Sequence, residues 1–231
     1  MLFYLAEPAA LLGIVLALLI GIYVHDGAQV VAARLLRDPS PLRSGRLTAS
    51  LKHRVSPFSA VAMLIAGVGW TEPIPMNDVW RKRRFHVAAA VLAGPLAYLL
   101  LAFVSIVGFK FVSEPLLLVE GDRILKVAGA GGFPARLLLW MAGTFGSLFI
   151  LSLIPVPPAD GGRVLFLLGP QTPSWHRAHY QLRENNVGIV ILLVILLLPV
   201  LFVSFPSVVG QLILPLLRGL GRIVNIDVAL G

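Results

Sequence analysis

The stretch PAALLGIVLALLIGIYVHDGAQVVAARLL, residues 8–36, decides the class of this chain. No charged residue occurs between Pro8 and Val24, and apolar character continues past His25, Asp26 and Gln29 to Leu36. About 20 apolar residues suffice to cross a bilayer as a helix. A cleaved secretory signal needs a basic start and a small-residue cleavage site, and residues 1–24 show neither. Residues 8–36 therefore read as a retained transmembrane helix with three polar side chains near its C-terminal end.

The rest of the chain agrees. Of the 231 residues, 58% are hydrophobic and 13% charged, where a soluble domain carries about 25% charged. The mean hydropathy is +0.89. These values exclude disorder, a coiled coil and most soluble enzymes. The expected fold is an all-α polytopic membrane protein, a single membrane domain over 1–231. Further spans are expected at 87–112, 135–155 and 187–205. Residues 55–70 are short for a span and carry basic flanks on both sides, so they read as re-entrant. Gly67, Gly69, Pro73 and Pro75 break any regular helix there. Residues 207–224 read as an interfacial or membrane-inserted tail. Lys110 is placed to snorkel at the end of its span.

Charge sets the expected orientation. The net charge is +8, and in an apolar chain basic residues mark cytoplasmic loops. Residues 34–54 and 81–84 then lie in the cytoplasm against anionic lipid, and the N-terminus lies outside. The loop 113–133 is the least basic. Nothing here resembles a nucleic-acid-binding surface or a nucleotide loop. With no cysteine in the chain, disulfides and thiolate chemistry are excluded. No half of the chain repeats the other, which weighs against a transporter.

Ionisable groups in a span are costly and are functional candidates by default. His25 and Asp26 fall at the inner end of the first span. Asp160 falls just past the third, which also points inward. His25 and Gln29 are four apart and share a helix face. A His, a second donor at i+4 and a distant carboxylate is the spacing of a zinc site. Asp160 also has a plain reading, as the N-cap of a helix over 163–168.

Five stretches in order resemble the site-2 protease family, the intramembrane zinc metalloproteases. GIYVHDGAQVVAARLL (21–36) stands where the family has its H-E-x-x-H helix. RDPSPLRSGRLTASLKHRVSPF (37–58) resembles the connector G-D-P-T…G-R-x-T-x-N-P-x-x-H-x-D-P-x-G. GWTEPIPMN (69–77) resembles G-W-x-x-P-V-P-V-N, and LAGPLAY (92–98) resembles A-G-P-x-x-N. SLIPVPPADGG (152–162) resembles N-x-x-P-x-P-P-L-D-G-G.

The resemblance implies zinc ligands at His25, Gln29 and Asp160, with Asp26 as general base on a metal-bound water. It implies substrate-handling or structural roles at Tyr98, Ser152 and Gly161, and a non-ligand connector His at His53. The departures fall where the chemistry would be. Gln29 replaces the second His, and an amide is a poor zinc ligand. Asp26 is one methylene shorter than Glu, and Tyr98 and Ser152 replace two Asn. The expected function is a pseudoprotease with no cofactor, a scaffold binding other integral membrane proteins, in a bacterial inner membrane. The alternative is an active divergent metalloprotease that uses zinc to cleave transmembrane helices. His86, His176 and His179 are read as bystanders. Trp70, Trp80, Trp140 and Trp175 are expected in interfacial belts, and Gly94, Gly143 and Gly146 at close helix contacts.

Overall fold

A computed structural model describes residues 7–44, 54–76, 84–120, 123–129, 132–202 and 207–225. Arg46, Lys52, His53, Trp80 and the basic positions 81–83 lie outside the described residues. Along the chain the elements are α1 (Pro8–Leu35), α2 (Ser40–Arg43), α3 (Pro57–Ala66), α4 (Arg84–Val112), β1 (Glu114–Glu120), β2 (Arg123–Gly129), α5 (Phe133–Ser152), α6 (Asp160–Leu168), α7 (Pro173–Arg183), α8 (Val187–Leu201) and α9 (Val208–Ile223). The core is the expected all-α membrane architecture. The 113–133 loop adds a hairpin, with β1 antiparallel to β2 from Glu114 opposite Gly129 to Glu120 opposite Arg123.

Helices α1, α4 and α5 are long and apolar enough to cross a membrane. Helix α8 has 15 residues, about 22 Å at 1.5 Å per residue, against about 30 Å of hydrocarbon. It qualifies as a span only together with α7, from which it is bent by 59°.

The three long helices pack on one another. Lipid is as apolar as a leucine side chain, so close packing rather than the hydrophobic effect must hold them. The sequence supplies small residues for this. A Cβ at Gly13 would stand 2.9 Å from Trp140 Cβ and 3.0 Å from the Leu137 carbonyl of α5. A Cβ at Gly21 would meet Tyr98 of α4 at 3.0 Å and Phe145 of α5 at 3.3 Å. Around them Ile14, Leu18, Ile106, Phe109, Phe145 and Leu148 form the main buried cluster. Gly146 makes the expected close contact, with Ile213 of α9, whereas Gly143 has nothing within 4 Å.

Helix α1 starts with Pro8 in its first turn, where a missing N–H costs nothing. It ends in a Schellman arrangement. Arg37 takes a left-handed φ of 66°, the Arg37 N–H donates to Arg34 O at 3.0 Å, and Asp38 N–H donates to Ala33 O at 2.8 Å.

The stretch 55–70 forms a second hairpin, a helix followed by an extended return. Ser56 caps α3 by accepting from Ser59 N. Gly67, at φ 77°, stops it. The return strand is stapled to the helix by Ser59 Oγ, which donates to Trp70 O at 2.6 Å and accepts from Trp70 N at 2.9 Å. At the neck, Glu72 N–H donates to Arg54 O at 2.7 Å. Trp70 is 4% exposed and packs against Ala62, Leu151 and Leu192. It belongs to the core and not to an interfacial belt, a correction that follows from this return.

The tail helix α9 lies on α5, with Leu217 and Leu220 in the main cluster. Lys110 does more than snorkel: its Nζ donates to Val224 O at 2.6 Å, at the C-terminus of α9.

Candidate functional site

On α1, His25, Asp26 and Gln29 are each no more than 1% exposed. His25 lies 17 residues into the helix, about 26 Å from its start. Three other elements complete the surroundings: α4, the N-terminus of α6, and Arg54 at the neck of the hairpin.

Helix α4 contributes a carbonyl and a gap. Pro95 has no N–H for the Val91 carbonyl four residues earlier. Gln29 Nε2 supplies that hydrogen bond at 3.0 Å, and also donates to Asp160 Oδ1 at 3.0 Å. Carbonyl and carboxylate oxygens only accept, so the NH2 end of the amide faces both. The gap is Gly94. A Cβ there would collide with His25 Nε2 and would stand 2.7 Å from Gln29 Nε2.

Asp160 is the first residue of α6, and Ala159 is its N-cap without a side-chain bond. The reading of Asp160 as a cap is therefore corrected: its carboxylate turns to α1. The Pro-rich entry and Gly161–Gly162 make this possible. A Cβ at Gly161 would run into the backbone of Leu153, and one at Gly162 into that of Val156 and Pro157. Arg163 Nη1 ties α6 to the extended strand by donating to Ile74 O at 2.6 Å.

His25 connects the two acids. Its Nε2 lies 2.7 Å from Asp160 Oδ2 and its Nδ1 3.2 Å from Asp26 Oδ1. Thr71 Oγ1 stands 3.5 Å from Nδ1. Tyr98 stacks on the imidazole, ring centres 4.7 Å apart and planes at 24°. It thus covers a ring face rather than replacing an amide. Ser152 lines the same space, but its Oγ donates to Phe149 O at 2.8 Å in its own helix.

Arg54 closes the chain of contacts. Its Nη1 donates to Asp26 Oδ2 at 2.8 Å, with side-chain exposures of 2% and 0%. Its guanidinium also lies 4.3 Å from the centre of the Tyr23 ring, a cation–π contact. All four oxygens of Asp26 and Asp160 thus have partners within the protein. The space left among His25, Tyr98, Ser152 and Asp160 is about 10 Å³, about the least that holds one water.

The structure brings together His25, Asp26, Gln29 and Asp160, with Tyr98, Ser152 and Gly161 around them. Arg54 was missed by sequence reasoning, though a signal was present. Counting H-x-D-P back from Ser56–Pro57 puts the connector His at Arg54, not at His53. The Val91 carbonyl was legible only through Pro95. The other described histidines stay apart. His86 is exposed, and α7, which carries His176 and His179, buries no residue. His179 instead packs against Phe166, with ring centres 4.8 Å apart and planes tilted by 32°.

The donor set bears on a metal. The zinc implied by the resemblance wants three protein ligands in a hydrolytic site. His25 and Asp160 are of the right type. The third place carries an amide that presents its nitrogen, and an amide nitrogen has no lone pair for a metal. Both His25 nitrogens are also engaged by carboxylates. As arranged here, the group offers two side chains of zinc-binding type where a hydrolytic zinc site uses three.

A polytopic core of apolar helices with a buried His–Asp–Asp group among them defines an integral membrane protein. The chain is 29% identical over 198 residues, 85% of each sequence, to a Bacillus subtilis (strain 168) protein named "Putative zinc metalloprotease YwhC". No family model matches the chain. No solved structure matches it.

Proposed function

We propose that this protein is a pseudoprotease: an intramembrane-metalloprotease fold kept as a membrane scaffold that binds other integral membrane proteins. The observation that carries the reading is Gln29, whose amide nitrogen donates to Asp160 and Val91 where a metal-binding imidazole is needed. Asp26, in the place of the general base, is engaged by Arg54 on one oxygen and His25 on the other. Each oxygen of this carboxylate already has a partner within the protein. The orientation proposed from the basic loops puts the N-terminus outside and residues 34–54 and 81–84 at the anionic inner face of a bacterial inner membrane.

The test is metal content by mass spectrometry on protein purified in mild detergent without chelator, beside cleavage of a reporter transmembrane helix. The expected result is far less than one zinc per chain and no cleavage. About one zinc per chain, with cleavage that Asp26→Asn abolishes, sinks the reading.

The second reading, an active divergent zinc metalloprotease, is favoured by the name of the Bacillus relative and by the nearness of His25 to Asp160. Asp26 would then be the base, with His25 and Asp160 as ligands. Recovery of cleavage on adding zinc to the native protein would establish it.

A further inference from the structure

We infer that Arg54 is a built-in cation that keeps this site shut to divalent metal, supplying from within the chain the positive charge that a bound metal would bring. The inference rests on the reading of the site as non-hydrolytic and explains how the site holds together in that state. Asp26 and Asp160 meet on opposite edges of one imidazole, with side-chain exposures of 0% and 11%. Two carboxylates this close and this far from water need positive charge beside them. A guanidinium is always charged and cannot withdraw by losing its proton.

The seat of Arg54 is built for it. The hairpin neck fixes its backbone through the Glu72 N–H, and the Tyr23 ring lies under its guanidinium. Arg54 holds one oxygen of Asp26 while His25 holds the other. A dication on the His25 side would therefore stand one carboxylate away from a fixed positive charge. Repairing position 29 alone leaves that repulsion in place.

The experiment compares three variants with the native protein. They are Gln29→His, Gln29→His with Arg54→Met, and Gln29→His with Arg54→Met and Asp26→Asn. The last removes the Asp26 charge together with its Arg54 partner, so it remains informative if the double variant fails to fold. Each is equilibrated with zinc chloride and desalted. Zinc per chain and the shift of Tm on zinc addition are then measured. The expected result is little zinc in Gln29→His and about one zinc per chain, with a raised Tm, in at least one variant lacking Arg54. Stoichiometric zinc in Gln29→His over an empty native protein overturns the role of Arg54 and leaves the pseudoprotease reading standing. Zinc in the native protein overturns both. Failure of both Arg54-free variants to load zinc also overturns the inference.

Discussion

Gln29 donates its amide hydrogen to the carbonyl of Val91, the acceptor that Pro95 leaves without its helical partner. One side chain of α1 thereby repairs a gap in the backbone of α4 and orients Asp160 as well. Gln29→Leu removes both bonds and leaves two buried acceptors unsatisfied. The expected cost is about 2–6 kcal/mol, at about 1–3 kcal/mol for each orphaned group. Thermal unfolding in detergent checks it. An unchanged Tm would show that the two contacts carry no stability.

Arg54→Met is expected to destabilise by about 3–5 kcal/mol, because the buried Asp26 loses its guanidinium partner and keeps only the His25 contact. Asp26→Asn in the same chain should recover much of the loss. The reading is a double-mutant cycle on stability. Additive single effects would rule out the coupling.

Gly94→Ala is expected to cost about 1–3 kcal/mol. The added methyl runs into His25 Nε2, which sits between two acids and below Tyr98 and has no room to retreat. Comparison of its Tm with that of Gly108→Ala, whose nearest neighbour is a Leu138 methyl at 3.3 Å, separates the site from the helix in general.

Gly161→Ala forces a methyl into the Leu153 backbone, which cannot rotate away as a side chain can. It should prevent stable folding, seen as loss of the monodisperse peak on size-exclusion chromatography. Gly143→Ala meets nothing within 4 Å and should be neutral or stabilising by up to about 1 kcal/mol, since alanine favours helix over glycine.

Chelator is expected to leave the native Tm unchanged. A structural or catalytic zinc contributes to stability by binding only the folded state. A fall in Tm with EDTA, reversed by zinc, would contradict the donor-set argument drawn from Gln29.

The long spans were legible because apolar runs of span length have few other stable homes. Helices α1, α4 and α5 begin and end close to the expected 8–36, 87–112 and 135–155. The pairing of His25 with Asp160 was legible as well, through topology and the five ordered motifs. The breaks at Gly67 and Gly69 were read correctly, but their consequence was not. The return of the chain along α3 buries Trp70, which composition alone assigns to an interface.

Sequence by itself determined which residues are polar inside an apolar chain, and hence which few positions carry chemistry. Local chemistry also set the helix ends, since proline withholds an N–H and glycine admits a left-handed φ. Only the tertiary structure decided how those polar residues satisfy one another. Arg54 lies 28 positions from Asp26, and Val91 lies 62 positions from Gln29. No periodicity spans such distances. Hydrogen bonds need placement to within a few tenths of an ångström, and that placement comes from the close approach of α1 and α4 at Gly94 and the tight turn of the chain against Leu153 at Gly161. The sequence named the donors and acceptors, and the packing of backbones decided their partners.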